Sequence, residues 1–392
     1  MTEKKALVGI HILFKSVISV YFDAFFVLYF FKVANYNIIP IVEYYIYQYL
    51  FLFIGFFVIK NMMKKNVKVP FLRIGISSQA LYISMIMLLK DNIINYIFLV
   101  GALRGISNGL YYYPQSLLNS EKIKNEERTK LDGLVYAITN LASIIIPIIL
   151  GFLLTYLSYI EVGKIIFLFF IIMFILSFKI KDKSYTTKKL NLKGFINLVK
   201  KSKNVKKALI MPFLSGLTFF SGAYYLLITL NKVINFDTNF KLGIVEGICA
   251  FISLLISVLY SVKLTNSKKS FWLKISGIAT FISLVIYAIN PTLTTFSLVL
   301  IINSSFVWLF NLVEITIGVD ITNQKEIQSA FKEEYLLGRE LALTTSRCLG
   351  FIIVLIVSIT LGSEYLKHLM VISGIIMLIE SFITSKYIKE NS

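Results

Sequence analysis

Apolar runs of about 20 residues recur along the whole chain, with clusters of charged residues between them. A helix of that length crosses about 30 Å of hydrocarbon. The composition agrees, because 57% of the 392 residues are apolar and only 16% are charged, whereas about a quarter are charged in a typical soluble domain. The sequence therefore predicts an all-α polytopic membrane protein and excludes a soluble enzyme or a disordered chain.

Twelve spans are predicted, in two sets of six. The predicted spans cover 8–33, 38–59, 73–89, 94–117, 131–156, 162–180, 208–231, 241–262, 272–289, 293–317, 334–361 and 366–386. A long polar stretch, 181–207, divides the chain into an N-terminal six-helix bundle over 1–180 and a C-terminal six-helix bundle over 208–392.

The polar stretch 181–207 also contains an amphipathic pattern. Apolar residues recur there at helical spacing, and lysines occupy the other faces. The apolar set is Leu192, Phe195, Ile196 and Val199, and the basic set is Lys193, Lys200 and Lys201. This pattern predicts a helix lying on the inner membrane surface against anionic lipids. A solvated linker is an equally good interpretation.

The basic residues are distributed unevenly across the predicted membrane. The chain has 40 Lys and Arg against 21 Asp and Glu, and most of the basic residues fall in or beside the predicted inner segments. Six lie in outer segments: Lys32, Lys90, Lys164, Lys232, Lys241 and Lys367. This is the positive-inside bias. It predicts a multi-pass protein of the cytoplasmic membrane with both termini in the cytoplasm, and it accounts for the net charge of +19 without nucleic acid as a partner.

Short segments of the first half return in the second at a nearly constant offset. Lys32–Tyr36 (KVANY) returns as Lys232–Phe236 (KVINF), and Ile41–Glu43 (IVE) returns as Ile244–Glu246 (IVE). Because six spans return the chain to its starting side, the two copies are parallel, as in transporters built from two parallel six-span halves.

The sequence gives no indication of a bound cofactor or metal. Cys249 and Cys348 lie inside apolar runs, and neither has a second Cys or a His at metal-ligand spacing. The chain also lacks a phosphate-binding Gly-Lys-Ser/Thr loop. We therefore expect no cofactor and no ATP-driven step.

Three short motifs resemble those of the major facilitator superfamily, although each departs from the family pattern. They comprise Gly55, Lys60 and Lys64 after span two, Arg104, Asn108 and Gly109 in span four, and Pro147 and Gly151 in span five. Ile59 stands where the family has Asp, and Ile146 stands where it has Gly. The resemblance implies transport by alternating access around a cavity lined by spans one, four, seven and ten. It also implies export, with which the span-five motif is associated.

Asp23 in span one and Arg104 in span four form the leading candidate pair for coupling. Each lies ten residues from the outer end of its span, so their depths agree. An ionisable group in the membrane is costly and points to function. We expect a carboxylate that responds to protons and substrate, and a fixed structural ion pair is the alternative.

Span four carries a polar stripe and a separate stripe of small residues. The polar stripe consists of Arg104, Asn108, Tyr111 and Gln115, within about 60° of one another around the helix. We expect it to face a cavity and contact substrate. The small stripe of Gly101, Gly105 and Gly109 predicts close helix packing.

The second half has its own candidates in spans seven, ten and eleven. Glu340 and Arg347 share a face of span eleven, and Glu314 of span ten lies at a depth at which it would meet Glu340. Two approaching carboxylates would suit proton transfer. A cytoplasmic gate or a structural network with Arg339 is the competing interpretation.

Aromatic and amide residues of the second half complete the predicted site. Tyr225 of span seven and Trp308 with Asn311 of span ten are candidate contacts for an amphipathic substrate. Packing between helices is the alternative role for these side chains.

Together these features predict a monomeric, proton-coupled secondary active transporter for a small organic solute, not an enzyme. Asp23 or Glu340 is the expected proton carrier. The sign of the substrate's charge stays open, because Arg104 and Arg347 favour an anion while Asp23 favours a cation. A lipid translocase and a non-transporting sensor are alternatives, which lipid flipping and ligand binding without flux would identify.

Overall fold

A computed structural model describes residues 3–62, 68–122, 125–181, 191–233, 239–263, 266–292, 294–306, 327 and 331–391. In this part of the chain the regular structure is entirely helical, which confirms the predicted fold class. The helices are α1 (Glu3–Val33), α2 (Ile39–Met62), α3 (Lys68–Leu89), α4 (Ile97–Lys122), α5 (Asn125–Tyr156), α6 (Tyr159–Ser177), α7 (Leu192–Lys201), α8 (Lys203–Val233), α9 (Asn239–Lys263), α10 (Asn266–Ile289), α11 (Thr294–Phe306), α12 (Lys332–Thr360) and α13 (Leu366–Asn391).

Eight stretches of the described chain are long and apolar enough to cross a membrane. One of them, Lys68–Leu118, includes most of α3 and α4, which a 3₁₀ segment over Lys90–Tyr96 separates. Two of the predicted spans therefore fall within this single stretch.

The chain divides into two compact units. The first consists of Met1–Lys188 and Phe236–Ile248, and the second of Lys189–Asn235 and Cys249–Ser392. Within the first unit, α1 contacts α5, and α3 packs on α6; within the second, α8 packs on α12, and α10 on α13. Each pair in the second unit corresponds to a pair in the first: α8–α12 to α1–α5, and α10–α13 to α3–α6. This correspondence agrees with the internal sequence repeat.

The small stripe of α4 packs directly on α2. A side chain added at Gly101 would meet the carbonyl oxygen of Tyr44, and one added at Gly105 would meet that of Gln48. Gly109 lies against Gly55 in the same interface. The three glycines therefore allow the two backbones to touch, and their predicted packing role is confirmed.

Helix α1 contains two π-helical turns, Phe14–Ile18 and Tyr21–Phe25. A π-turn inserts an extra residue into the α-helical hydrogen-bond ladder, and such turns are frequent at functional sites. Asp23 lies in the second one. Large buried rings surround this turn, including Phe22 and Tyr82, whose centroids are 5.0 Å apart.

Candidate functional site

The predicted pair of Asp23 and Arg104 comes together in the first unit. Arg104 Nη2 lies 3.8 Å from Asp23 Oδ1. The two side chains differ sharply in accessibility, because that of Asp23 is 70% exposed while that of Arg104 is 3% exposed. An exposed carboxylate within a span would be costly against lipid, so we expect Asp23 to face a water-filled space.

Arg104 is held in place from several sides. Its Nη1 donates a hydrogen bond of 2.8 Å to Gln79 Oε1 on α3. Its guanidinium carbon lies 4.2 Å from the ring centroid of Phe22 and 5.4 Å from that of Tyr82. A guanidinium over aromatic faces gains electrostatic stabilisation, which increases when water is excluded. The cation is therefore fixed, whereas the carboxylate beside it is accessible.

Gln79 extends the network to Asn108, the second member of the polar stripe. Its Nε2 donates to Asn108 Oδ1 at 2.7 Å. Gln79 is fully buried, and both ends of its amide are used. The order Asp23–Arg104–Gln79–Asn108 connects α1, α4 and α3 within one unit.

The rest of the polar stripe does not join this network. Tyr111 stacks on Phe14 of α1, with ring centroids 4.0 Å apart, and its hydroxyl has no hydrogen-bond partner among the described residues. Gln115 Nε2 donates to the Leu7 carbonyl oxygen at 3.4 Å, and its Oε1 is likewise unpartnered within the described chain. These two residues pack between α4 and α1, and their contact with substrate stays a prediction.

The candidates of the second unit are only partly described. Glu340 Oε1 lies 3.6 Å from Arg339 Nη1. The guanidinium of Arg347 lies 4.4 Å from the ring centroid of Phe219 on α8. Glu314, Trp308 and Asn311 lie outside the described residues, as does the side chain of Tyr225. The meeting of Glu340 with Glu314 therefore stays a prediction.

Sequence reasoning missed Gln79, the residue that joins Arg104 to Asn108. It concentrated on ionisable groups and on span four, and Gln79 is a neutral residue of span three. A usable signal existed, because an amide in the middle of an apolar run needs partners when it is buried.

The described residues offer little for a tightly held metal. Within them, no group of three or more His, Cys, Asp or Glu side chains has the geometry to hold an ion. At the Asp23 site the guanidinium of Arg104 lies 3.8 Å from the carboxylate and already balances its charge, which leaves less of that charge for a metal ion.

The apolar helices, the repeated helix pairing and the ion pair between spans one and four define a polytopic membrane protein with two related halves. The model of the Major Facilitator Superfamily matches residues 44–331. The chain belongs to this superfamily, as its motifs indicated. A search of curated protein sequences gives no significant match.

Three solved structures share the fold over nearly the whole chain. A bacterial homologue of the iron transporter ferroportin, in an inward-facing state, is 15% identical with a TM-score of 0.70, and the match covers 98% of each chain. A bacterial metal transporter is 15% identical with a TM-score of 0.63, covering 99% of this chain and 98% of the other. The human organic anion transporter MFSD10 (TETRAN) is 11% identical with a TM-score of 0.67, covering 98% and 100%.

Proposed function

We propose that this transporter is a proton-coupled secondary active transporter that exports a small organic solute across the cytoplasmic membrane by alternating access. One observation carries the proposal: an accessible carboxylate, Asp23, stands 3.8 Å from the buried guanidinium of Arg104. The remnant of the span-five motif, Pro147 and Gly151, supports export as the direction.

The accessibility of the pair supports Asp23 as the group that responds to protons and substrate. Arg104 keeps its charge at all physiological pH values, and Gln79 and Phe22 hold it in place. Protonation of Asp23 would therefore leave the charge of Arg104 unbalanced. Loss of the negative charge beside a buried guanidinium can bias a conformational equilibrium.

The same asymmetry favours a substrate with a cationic or hydrogen-bond-donating group. A solute entering from water reaches the 70% exposed carboxylate before the 3% exposed guanidinium. A protonated amine would compete with Arg104 and with protons for Asp23. Competition between substrate and proton for one carboxylate is sufficient for exchange transport.

A divalent metal ion is the second candidate substrate. One of the solved structures is described as a bacterial homologue of the iron transporter ferroportin and another as a bacterial metal transporter, and an exposed carboxylate is a suitable oxygen ligand. We rank it below an organic solute because no group of three or more His, Cys, Asp or Glu side chains that could hold an ion occurs among the described residues.

Thermal stability of the purified protein against three probes tests these assignments. The probes are tetraphenylphosphonium as an organic cation, Mn²⁺ as a metal ion and benzoate as an organic anion. A ligand that binds the folded state and not the unfolded state raises Tm, and the rise increases with ligand concentration relative to Kd. We expect tetraphenylphosphonium to raise the Tm of the wild type and of Glu364→Gln, an exposed control carboxylate, but not that of Asp23→Asn.

Other outcomes would redirect the assignment. A benzoate effect that Arg104→Ala abolishes would make the guanidinium the substrate anchor and would contradict the preference for a cation. An Mn²⁺ effect that Asp23→Asn abolishes would favour the metal candidate.

A further inference from the structure

One face of helix α7 packs against other helices of its own unit, the second. Phe195 is 6% exposed and belongs to a buried cluster with Met211 of α8 and Tyr335 of α12. Its ring also lies close to Gly338, where an added side chain would come within 3.1 Å of it. The helix is therefore docked on its own unit through this side chain.

The first turn of α7 is fastened to α12 by hydrogen bonds. The backbone N–H of Asn191 donates to Glu334 Oε1 at 2.7 Å, and the carboxylate-bearing residue is 5% exposed. The side chain of Asn191 accepts a 2.9 Å bond from the N–H of Gly194, which caps the helix. Together with Phe195, these bonds determine which side of α7 faces away from the unit.

A second, apolar face of α7 is left exposed. Leu192 is 49% exposed and Ile196 is 52% exposed. At 100° per residue, they lie about 60° and about 100° around the axis from Phe195. The exposed apolar face therefore continues directly from the docked face.

Lysines follow next around the same side of the helix. Lys200 and Lys193 lie about 140° and about 160° from Phe195, and both are exposed. Around the axis of α7, the face that docks on the protein through Phe195 is thus followed by the exposed apolar side chains and then by the lysines. An interfacial helix has this order, with its apolar side chains at the acyl boundary and its lysines at the headgroups.

We propose that α7 is a binding surface for the anionic phospholipids of the inner leaflet, with Leu192 and Ile196 inserted at the acyl boundary and Lys193 and Lys200 at the headgroups. Charge complementarity selects this occupant, because each lysine near an anionic membrane surface adds to binding. Through Asn191 and Glu334 the bound lipid is linked to α12, the helix that carries Glu340 and Arg347.

Fluorescence quenching on the full-length protein tests the proposal without a transport measurement. Ile196→Cys and the control Asn197→Cys, each in a Cys249→Ser/Cys348→Ser background, carry a bimane label. The proteins are placed in nanodiscs of phosphatidylcholine alone or mixed equally with phosphatidylglycerol, with doxyl-labelled lipid as quencher. The label at position 196 should be quenched strongly when phosphatidylglycerol is present. Position 197 lies about 100° further around the helix, so its label should be quenched much less by the lipid.

The charge requirement is tested with two matched pairs of substitutions on the labelled 196 protein. Lys193→Gln/Lys200→Gln should remove most of the difference in quenching between the two membranes, and added salt should mimic the change. Lys386→Gln/Lys389→Gln removes the same charge from the exposed end of α13 and should leave that difference unchanged. The proposal would be overturned if quenching of the unsubstituted 196 protein were equal in the two membranes, if position 196 were not quenched in either, or if both pairs of substitutions had the same effect.

Discussion

At the scale of single residues, Gln79 decides how the Arg104 charge is accommodated. Its amide accepts from Arg104 and donates to Asn108, with both bonds below 3 Å. A buried donor without a partner costs its full desolvation free energy. The neutral residue is therefore as important for the geometry of the pair as the two ions themselves.

We expect Gln79→Leu to lower the free energy of unfolding by about 1–3 kcal/mol, because Arg104 and Asn108 each lose a buried partner. The measurement is Tm of the purified protein in detergent. Ser84→Ala on the same helix is the control, since the Ser84 hydroxyl bonds only a helix carbonyl. If both variants melted together, Gln79 would have no part in holding Arg104.

Removal of the hydroxyl group should have opposite effects on stability at two buried tyrosines, Tyr82 and Tyr111. Tyr82 and Tyr44 share a 2.8 Å hydrogen bond between their hydroxyls, while the hydroxyl of Tyr111 has no partner among the described residues. Tyr82→Phe should destabilise by about 1 kcal/mol. Tyr111→Phe should be neutral or stabilising, because it removes an unsatisfied polar atom. A larger loss for Tyr111→Phe in thermal unfolding would contradict the description of this hydroxyl.

The equal depth of Asp23 and Arg104 could be predicted from the sequence, because depth within a span is found by counting residues, but whether the two side chains meet could not. The contrast between an exposed Asp23 and a buried Arg104 could not. Exposure depends on which rings of α1 and α3 cover the guanidinium, and the spacing within one span carries no information on rings of another.

At the scale of elements, the contact of α2 with α4 depends on missing side chains. At Gly105, an added Cβ would collide with the Gln48 carbonyl oxygen and would lie 2.7 Å from the backbone nitrogen of Leu52. Neither backbone atom can move aside as a flexible side chain would. The interface therefore tolerates little more than hydrogen at this position.

Gly105→Ala should destabilise the first unit by about 1–3 kcal/mol, the usual cost of overpacking. Yield and Tm of the monodisperse protein in detergent measure it. Gly9→Ala serves as the matched control, because the nearest atom to its added Cβ is Leu176 Cδ1 at 4.0 Å. Comparable losses in both variants would indicate a general intolerance of these helices rather than the α2–α4 contact.

The helices themselves were predictable from hydropathy, and the glycine stripe from its spacing. The π-turns of α1 were not, because an inserted residue leaves no mark in an almost uniformly apolar run. The 3₁₀ segment Lys90–Tyr96 was not predictable either. It begins at Lys90, whose φ is +48°, and the propensity of a lysine does not indicate such a conformation.

At the scale of the whole molecule, the repeat explains the organisation of the fold. Equivalent helices pair in the two units, and the superfamily match spans the linker between them. That the two halves are parallel stays a prediction, which rests on six spans restoring the starting side of the membrane. The substrate could not be predicted, because the motifs are degenerate and the three solved structures described above are only 11–15% identical to the chain.

Proton coupling through Asp23 is the central claim at this scale, and proteoliposomes test it most directly. The measurement is the flux of whichever probe raises the wild-type Tm, with and without an imposed pH gradient, for the wild type, Asp23→Asn and the control Glu364→Gln. We predict that a pH gradient drives flux in the wild type and in the control. Asp23→Asn should lose the gradient-driven flux, because it lacks both the accessible titrating group and the carboxylate that we expect to bind the probe. A full gradient response in Asp23→Asn would contradict the account.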